Sequence, residues 1–179
     1  HIHKGMYGAF IIDPKAGRAR AREFMMMMNA FDTNFDGANE IYAVNTVGHE
    51  FMHRPIPVKV GELVRIYLIN IVEFDPINSF HLHANFFDYY DHGTTLQPTL
   101  HMVDTIMQAQ GQRGILEFRF RWPGKYMFHA HVSEFAELGW MGLFNVVDAD
   151  GFAEALALAS VDEDWDRQST DGSTVEARA

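Results

Sequence analysis

Cysteine is missing from all 179 residues of the sequence. Disulfide bonds within the chain are therefore excluded, and so is any metal centre that depends on a thiolate ligand. A metal bound by this chain has to be one that nitrogen donors can hold. The missing cysteines do not identify the cellular compartment, because they exclude disulfides but not an oxidising location.

Long apolar runs and clusters of basic residues are missing as well. No stretch approaches about 18 uninterrupted apolar residues, so no membrane span is expected, and the N-terminus lacks the basic-then-apolar pattern of a signal peptide. The formal net charge is −10, from 24 acidic and 14 basic residues. Without a cluster of Lys or Arg, nucleic acid is not an expected partner, whereas small cations are attracted.

The remaining pattern is that of strands separated by turns. The composition, 47% hydrophobic and 21% charged, suits one compact domain. Apolar and polar residues alternate in 64–68 and 116–122, as in half-buried antiparallel strands, and helical pattern is confined to 135–138 and 152–159. About seven strands with Gly- and Pro-rich turns predict an all-β fold, a β-sandwich. The candidate strands are 23–29, 40–47, 63–71, 79–90, 114–122, 125–131 and 140–147.

Three segments are expected along the chain. Residues 1–15 read as the closing strand of a preceding domain, because the chain opens on His1 rather than Met and enters a strand-like run at once. Residues 16–149 form the sandwich domain. Residues 150–179 become acidic and polar from Ser160 onward, and this composition predicts a largely flexible tail.

Four histidines form two His-x-His pairs, His81 with His83 and His129 with His131. Each pair lies in a strand-like run, where alternate side chains share a face, so both imidazoles of a pair point the same way. The second pair ends an aromatic strand that follows a turn, which puts it near a loop-lined rim. Imidazole suits copper, zinc, iron and nickel, and we interpret the four as a histidine-only copper site.

Residues 23–148 resemble the multicopper oxidases, and within that family the two-domain group related to copper nitrite reductases. The likeness is carried by PIPVKVGELVRI at 55–66, the His-x-His at His81, the stretch 104–113, and the Pro-Gly-x-Tyr-x-Phe-His-x-His run that ends at His131. The resemblance implies a cupredoxin-like Greek-key sandwich with short helical pieces.

The resemblance also implies a role for each paired histidine. In that family, eight histidines from two cupredoxin domains hold a three-copper cluster that reduces dioxygen to water. This chain would supply half of them. By motif position, His81 is similar to the ligand of the lone copper, while His83, His129 and His131 are similar to ligands of the coupled copper pair.

The blue copper site of that family has no ligands in this domain. Its positions are three residues before the first His-x-His, inside the last His-x-His, at a later histidine and at an axial methionine. Asn78, Ala130, Phe135 and Trp140 stand there, and Met141 is one residue past the axial position. Because a blue site depends on thiolate ligation, we infer that this domain holds no blue copper and that Met141 is a packing residue.

The first six residues, HIHKGM, are similar to the family's His-x-x-x-Gly-Met ending. This likeness makes His1 and Met6 the last two ligands of a blue copper in a preceding cupredoxin domain. The alternative is a tag remnant or an isolated surface histidine. Two-domain relatives with this arrangement are trimers with clusters between subunits, so the resemblance implies a homotrimer, and it implies a periplasmic or secreted location.

Glu134 follows His129 by five residues, where laccase-like relatives carry a carboxylate near the cluster. Reducing dioxygen to water consumes protons, so a carboxylate beside the site is chemically useful. The alternative is that Glu134 or Glu137 caps a short helix or faces solvent. His49 and His53 have i, i+4 spacing, but their Gly/Pro context does not support a helix, and both are expected on the surface.

His92 and His101 flank a loop and are expected to have no special role, the alternative being that they line a substrate entrance. The four methionines 25–28 are expected to pack, two toward the core and two away from it. A metal-gathering role for these thioethers is the minority hypothesis.

Three classes of function remain open at this point. The first is an oxidase that takes electrons from a phenolic or metal-ion substrate and reduces dioxygen. The second is a nitrite reductase, in which three histidines hold a single catalytic copper, and the third is a non-catalytic cupredoxin module. Two complete His-x-His pairs exceed what a nitrite reductase site needs, and the retention of all four argues against the third class. The expected small-molecule partners are therefore dioxygen and a reducing substrate.

Overall fold

The computed structural model describes residue 2 and residues 5–160. Within them, eleven strands form two sheets. The first sheet has the order β2-β1-β4-β9-β6-β7, with β1 (Arg22–Phe31), β2 (Ile41–Val44), β4 (Val64–Asn70), β6 (Phe87–Asp91), β7 (Leu100–Val103) and β9 (Arg113–Phe118). The second has the order β3-β11-β10-β5-β8, with β3 (Ile56–Lys59), β5 (Ile77–Leu82), β8 (Thr105–Ala109), β10 (Gly124–His129) and β11 (Met141–Val147).

One apolar core joins the inner faces of the two sheets. Met26, Ile66 and Leu116 enter it from the first sheet, while Phe80 and Phe128 enter it from the second. The rings of Phe80 and Phe128 stack with centroids 5.6 Å apart. The predicted all-β sandwich is therefore confirmed, although it contains more strands than the seven expected.

Strand β4 is buried on both faces, so its predicted half-buried character is wrong. Arg65 faces away from the core and is only 2% exposed, because it pairs with Glu23 and Glu117 at 2.6 Å each. Its guanidinium also donates to the carbonyl of Ala19, in the segment that precedes β1. The alternation of charged and apolar residues reflects a buried polar network rather than a solvated face. The strand also pairs in parallel with β1.

The single strand expected over 79–90 is two strands in different sheets. β5 ends at Leu82, and β6 begins at Phe87 in the opposite sheet. Between them Ala84 adopts a left-handed conformation with φ 52°, which turns the chain away from the strand direction. The His81 pair consequently stands at the point where the chain leaves the second sheet.

Three short α-helices occur in the described residues: α1 (Glu50–His53), α2 (Ser133–Glu137) and α3 (Phe152–Ser160). α1 contradicts our expectation for His49 and His53, since the amide of His53 donates to the carbonyl of His49 within one helical turn. His53 is exposed, as expected, but His49 is half-buried. Within the described part of the chain, no helix has the length and apolar character that a membrane crossing needs.

The first and last described segments differ in how they pack. Residues 6–14 contain no strand, and the expected closing strand stays a prediction because such a strand would pair with residues of another domain. At the other end, α3 packs against β3 and β11, with the ammonium of Lys59 4.5 Å from the ring centroid of Phe152. The expected flexible tail lies mostly in 161–179, outside the described residues.

The run of four methionines in β1 packs as expected. Met26 and Met28 lie in the core between the sheets. Met25 and Met27 alternate with them, and Met27 is also buried whereas Met25 is 38% exposed.

Candidate metal centre

Two neighbouring strands bring the His-x-His pairs together. β5 and β10 are antiparallel, with His81 opposite His129 and Leu82 opposite Phe128. Leu82 and Ala130, the middle residues of the two pairs, are fully buried in the core. Because side chains alternate along a strand, the histidines lie on the outer face of the second sheet.

The four imidazoles form one cluster. The ring centroid of His81 lies 4.9 Å from that of His83, 5.2 Å from that of His129 and 5.0 Å from that of His131. His129 is 4.9 Å from His83 and 5.7 Å from His131. One ring nitrogen from each of His81, His83 and His129 falls within a set whose members lie within 4.8 Å of one another.

His83 and His129 have the closest pair of nitrogens. Their Nε2 atoms are 2.9 Å apart. Two nitrogen ligands about 2.0 Å from one metal ion and at right angles to each other are about 2.8 Å apart, and in tetrahedral geometry they are about 3.3 Å apart. The observed separation therefore suits two imidazoles on the same ion.

Hydrogen bonds determine which nitrogen of two rings carries the proton. Nδ1 of His81 lies 3.0 Å from the carbonyl oxygen of Asp104 and 2.7 Å from Oγ1 of Thr105. Nδ1 of His129 lies 2.6 Å from the carbonyl oxygen of Ala130. A carbonyl only accepts, so both Nδ1 atoms donate, and each Nε2 keeps its lone pair for a metal.

Burial lowers the pKa of the His81, His83 and His129 imidazoles below the ordinary value. The neighbouring imidazoles lower these pKa values further, because two protonated rings side by side repel each other. The hydrogen bonds to carbonyl oxygens act in the opposite direction for His81 and His129. Metal ligation requires neutral imidazole, so the cluster is suited to binding near neutral pH.

His131 follows the end of β10 and is held through its backbone. Its amide donates to Oγ of Ser79 at 2.8 Å, while its side chain is exposed. Ser79 and Thr105, which contact the cluster residues, were not among the predicted site residues. Ser79 lies two residues before His81 on β5 and so shares its outward face, which is a signal visible in the sequence, whereas Thr105 lies on the neighbouring β8, which the sequence did not predict.

The remaining predicted site residues are Glu134, Met6 and His1. Glu134 is exposed in the first turn of α2, three residues after His131. Met6 is 67% exposed in the segment before β1, and His1 lies outside the described residues. The roles of these three residues therefore stay predictions. His92 and His101 are on the surface, with side chains 53% and 67% exposed beside Asp91 and Asp88.

Apolar side chains occupy three of the four positions of the missing blue copper ligands, and Asn78, which is 1% exposed, occupies the fourth. Trp140 and Ala130 are fully buried, and Phe135 is 7% exposed. The indole of Trp140 packs edge-on against Phe80 and Phe128, with centroids 5.9 Å apart in both contacts. Met141 instead lies on the outer face, half-buried and opposite His129 in the strand register.

A second group of metal-type side chains lies in the loop between β1 and β2. Oxygens of Asp32, Asp36 and Glu40 approach within 4.8 Å of one another, a cluster that sequence reasoning missed. Asp32 already accepts the amides of Phe35, Asp36 and Gly37, and Glu40 accepts both the amide and the hydroxyl of Thr33. We assign these carboxylates the role of closing the loop.

Known proteins share both the sequence pattern and the fold. The family model described as multicopper oxidase matches residues 20–150. A crystal structure of a multicopper oxidase is 59% identical with a TM-score of 0.80, covering 82% of this chain and 52% of that one. The copper nitrite reductase of Nitrosomonas europaea has a TM-score of 0.73 at 23% identity, covering 83% of this chain and 58% of that one, a likeness of fold alone.

A copper-containing nitrite reductase of Neisseria meningitidis serogroup A is 30% identical over 151 residues, which is 73% of this chain and 38% of that protein. The chain thus spans less than two thirds of the length of each of these relatives. The family match extends over both His-x-His pairs and nearly all of the sandwich. This chain therefore belongs to the multicopper oxidase family of oxidoreductases, as a cupredoxin-like domain.

Proposed function

We propose that this chain supplies half of the histidine ligands of a three-copper cluster that reduces dioxygen to water. The electrons would come from a phenolic or metal-ion substrate. One observation carries the proposal: imidazoles from two neighbouring strands converge on one outer face, with the Nε2 atoms of His83 and His129 2.9 Å apart. His81, His83, His129 and His131 are the ligands that we assign to copper.

The donor set fits copper. Four imidazoles without a thiolate suit a borderline metal, and His81, His83, His129 and His131 would hold it as neutral ligands. When bound, the copper ions supply electron transfer to dioxygen. The contribution of the protein is to hold the Nε2 atoms of His81 and His129 in place, through the Nδ1 hydrogen bonds, and to keep the rings neutral.

The cluster face is open, which supports completion by another domain. Met107 is 61% exposed and Ile77 is 39% exposed on the same face as His81, and Val132 beside His131 is 37% exposed. Exposed apolar side chains around half of a ligand set suit an interface. We propose that a second cupredoxin domain covers this face in a homotrimer located in the periplasm or outside the cell.

Electrons would enter through a blue copper site in the preceding domain. His1 and Met6 are the residues that we assign to that site. In the present domain, Trp140 and Phe135 fill the corresponding space, so we propose no second entry site here. Glu134 is the residue that we assign to proton delivery, since its carboxylate is exposed in the helix that follows His131.

A copper nitrite reductase is the second candidate function. It is favoured by the 30% identity with a copper-containing nitrite reductase of Neisseria meningitidis. A fourth imidazole favours the oxidase: the ring centroid of His131 is 5.0 Å from that of His81. A single catalytic copper held by three histidines does not need this fourth ring.

The copper content of the full-length assembled protein tests the two functions. About four copper ions per subunit, with the near-ultraviolet absorbance of a coupled pair, are expected for the oxidase. About two per subunit without that absorbance would identify the nitrite reductase, and none would leave a non-catalytic module. We expect no oxidase activity from the isolated chain, because half of a ligand set leaves the ions under-coordinated.

A further inference from the structure

The hydroxyl of Thr105 touches one of the cluster imidazoles. Thr105 begins β8 and lies opposite His81 in the antiparallel register with β5. Its Oγ1 is 2.7 Å from Nδ1 of His81 and 3.1 Å from Oδ1 of Asp104. Thr105 is half-buried, so the contact is partly shielded from water.

The donor and the acceptor of each hydrogen bond in this contact follow from the chemistry of the groups. An ionised carboxylate only accepts, so the Thr105 hydroxyl donates to Oδ1 of Asp104. The hydroxyl oxygen then offers a lone pair to His81, and Nδ1 of His81 must be the donor. The carbonyl oxygen of Asp104, 3.0 Å from the same Nδ1, can also only accept a hydrogen bond and therefore favours a proton on Nδ1.

We propose that Thr105 is a positioning residue that holds His81 with the proton on Nδ1 and with Nε2 free toward the cluster. The expected effect on copper binding rests on the proposed function, whereas the ring state of His81 is a property of the metal-free chain. A hydrogen bond on the far nitrogen sets both the tautomer and the orientation of an imidazole ligand.

His129 provides an internal comparison. Its Nδ1 is held by the backbone carbonyl of the adjacent Ala130, which no side-chain substitution removes. Loss of the Thr105 hydroxyl should therefore act on His81 and leave the ring of His129 unchanged. A general loss of folding would disturb both rings.

The test compares Thr105→Val, which removes the hydroxyl at nearly constant volume, with Thr105→Ser, which keeps it. Thr99→Val is the matched control, because the Thr99 hydroxyl donates to the carbonyl of Tyr89. Nitrogen NMR of the histidine rings in the metal-free 179-residue chain reports the tautomers. Competition with a chelator of known affinity reports binding of Cu(II).

In the wild type, Thr105→Ser and Thr99→Val, we expect protonated Nδ1 and unprotonated Nε2 in His81. In Thr105→Val, a several-fold larger share of His81 should carry the proton on Nε2, since only the Asp104 carbonyl remains. Copper binding should then weaken about tenfold, the low end for loss of a group that orients a metal ligand.

The inference is overturned if Thr105→Val keeps the wild-type ring state of His81 and binds copper within about twofold of the wild type. It is also overturned if Thr105→Ser behaves as Thr105→Val does, because a retained hydroxyl then does not preserve the ring state of His81. If the wild type binds no copper although the ring state responds as expected, the proposed function fails and the positioning of His81 is supported.

Discussion

The Nε2 atoms of His83 and His129 lie 2.9 Å apart although the two residues are separated by 46 positions in the chain. The strand register that sets His81 opposite His129 also leaves His83 beside β10, where its amide donates to the carbonyl of Met127. The contact is therefore built into the backbone pairing. Because their Nε2 atoms are this close, these two imidazoles are the pair in the cluster best placed to bind the same metal ion.

The first prediction concerns this pair. His83→Ala or His129→Ala should each weaken Cu(II) binding by the isolated chain on the order of 100-fold, because two linked donors bind far better than one. The double variant should lose little more than either single variant, a non-additive result measured by titration calorimetry. His101→Ala, an exposed control, should bind like the wild type. Additive losses would mean that the two rings bind separate ions.

The second prediction concerns stability and pH in the absence of metal. The pKa values of His81, His83 and His129 are lowered in the folded protein. As pH falls through about 6.5, the unfolded chain therefore binds more protons on these rings than the folded chain does, and the folded state loses stability. The stabilising contribution of the neutral rings should be complete above pH 6.5 and lost as pH falls through the folded pKa values. Urea unfolding between about pH 8 and pH 5 measures it. In a variant with His83→Asn and His129→Asn, the dependence should be flatter; an equally steep one would contradict the assignment.

The third prediction concerns Glu134 in the full-length assembled protein. Glu134→Gln should slow dioxygen consumption by about 100-fold, the lower range for loss of an acid–base group, without emptying the copper sites. Oxygen uptake across pH, together with metal analysis, gives the two readouts. Glu137→Gln, on the same helix and also exposed, is the matched control. Rates that equal the wild type at every pH would remove Glu134 from the mechanism.

The fourth prediction concerns the space where a blue copper would lie. Ala130→Cys, alone or with Asn78→His, should give no intense visible absorption with Cu(II), because Trp140 and Phe135 occupy the space that the missing ligands would need. The added sulfur in a fully buried position should also cost about 1–3 kcal/mol of unfolding free energy. Visible spectra and urea unfolding measure the two effects. A blue chromophore in either variant would show that the aromatic residues yield more easily than their packing indicates.

Strands with clear local signals in the sequence were predicted correctly. β10 and β11 were predicted within two residues of their observed ends, because β11 alternates a buried and a less buried face and β10 begins directly after a Pro-Gly turn. β8 was not predicted, because the buried Gln108 stands where an apolar residue would complete the alternation. β7 was not predicted either, since all four of its residues are at least partly exposed at the sheet edge.

Other differences arose from contacts between distant segments. The double burial of β4 depends on Glu23 and Glu117, which meet Arg65 from the two strands beside it. The division of 79–90 into two strands depends on a left-handed turn at Ala84. Alanine rarely adopts this conformation, so the sequence does not predict the turn. The one-turn helix at Glu50–His53 lies beyond the reach of local propensity, because so short a helix is maintained by its packing against β11.

By itself, the sequence determined the kind of fold, the identity of the four imidazoles and the shared direction of the two within each pair. These properties follow from residue type and from the two-residue period of a strand. Only the tertiary structure decided that β5 and β10 are neighbours, that His83 meets His129, and that Thr105 and the Asp104 carbonyl hold Nδ1 of His81. Strand order and register result from packing the whole core, which no local spacing of residues encodes.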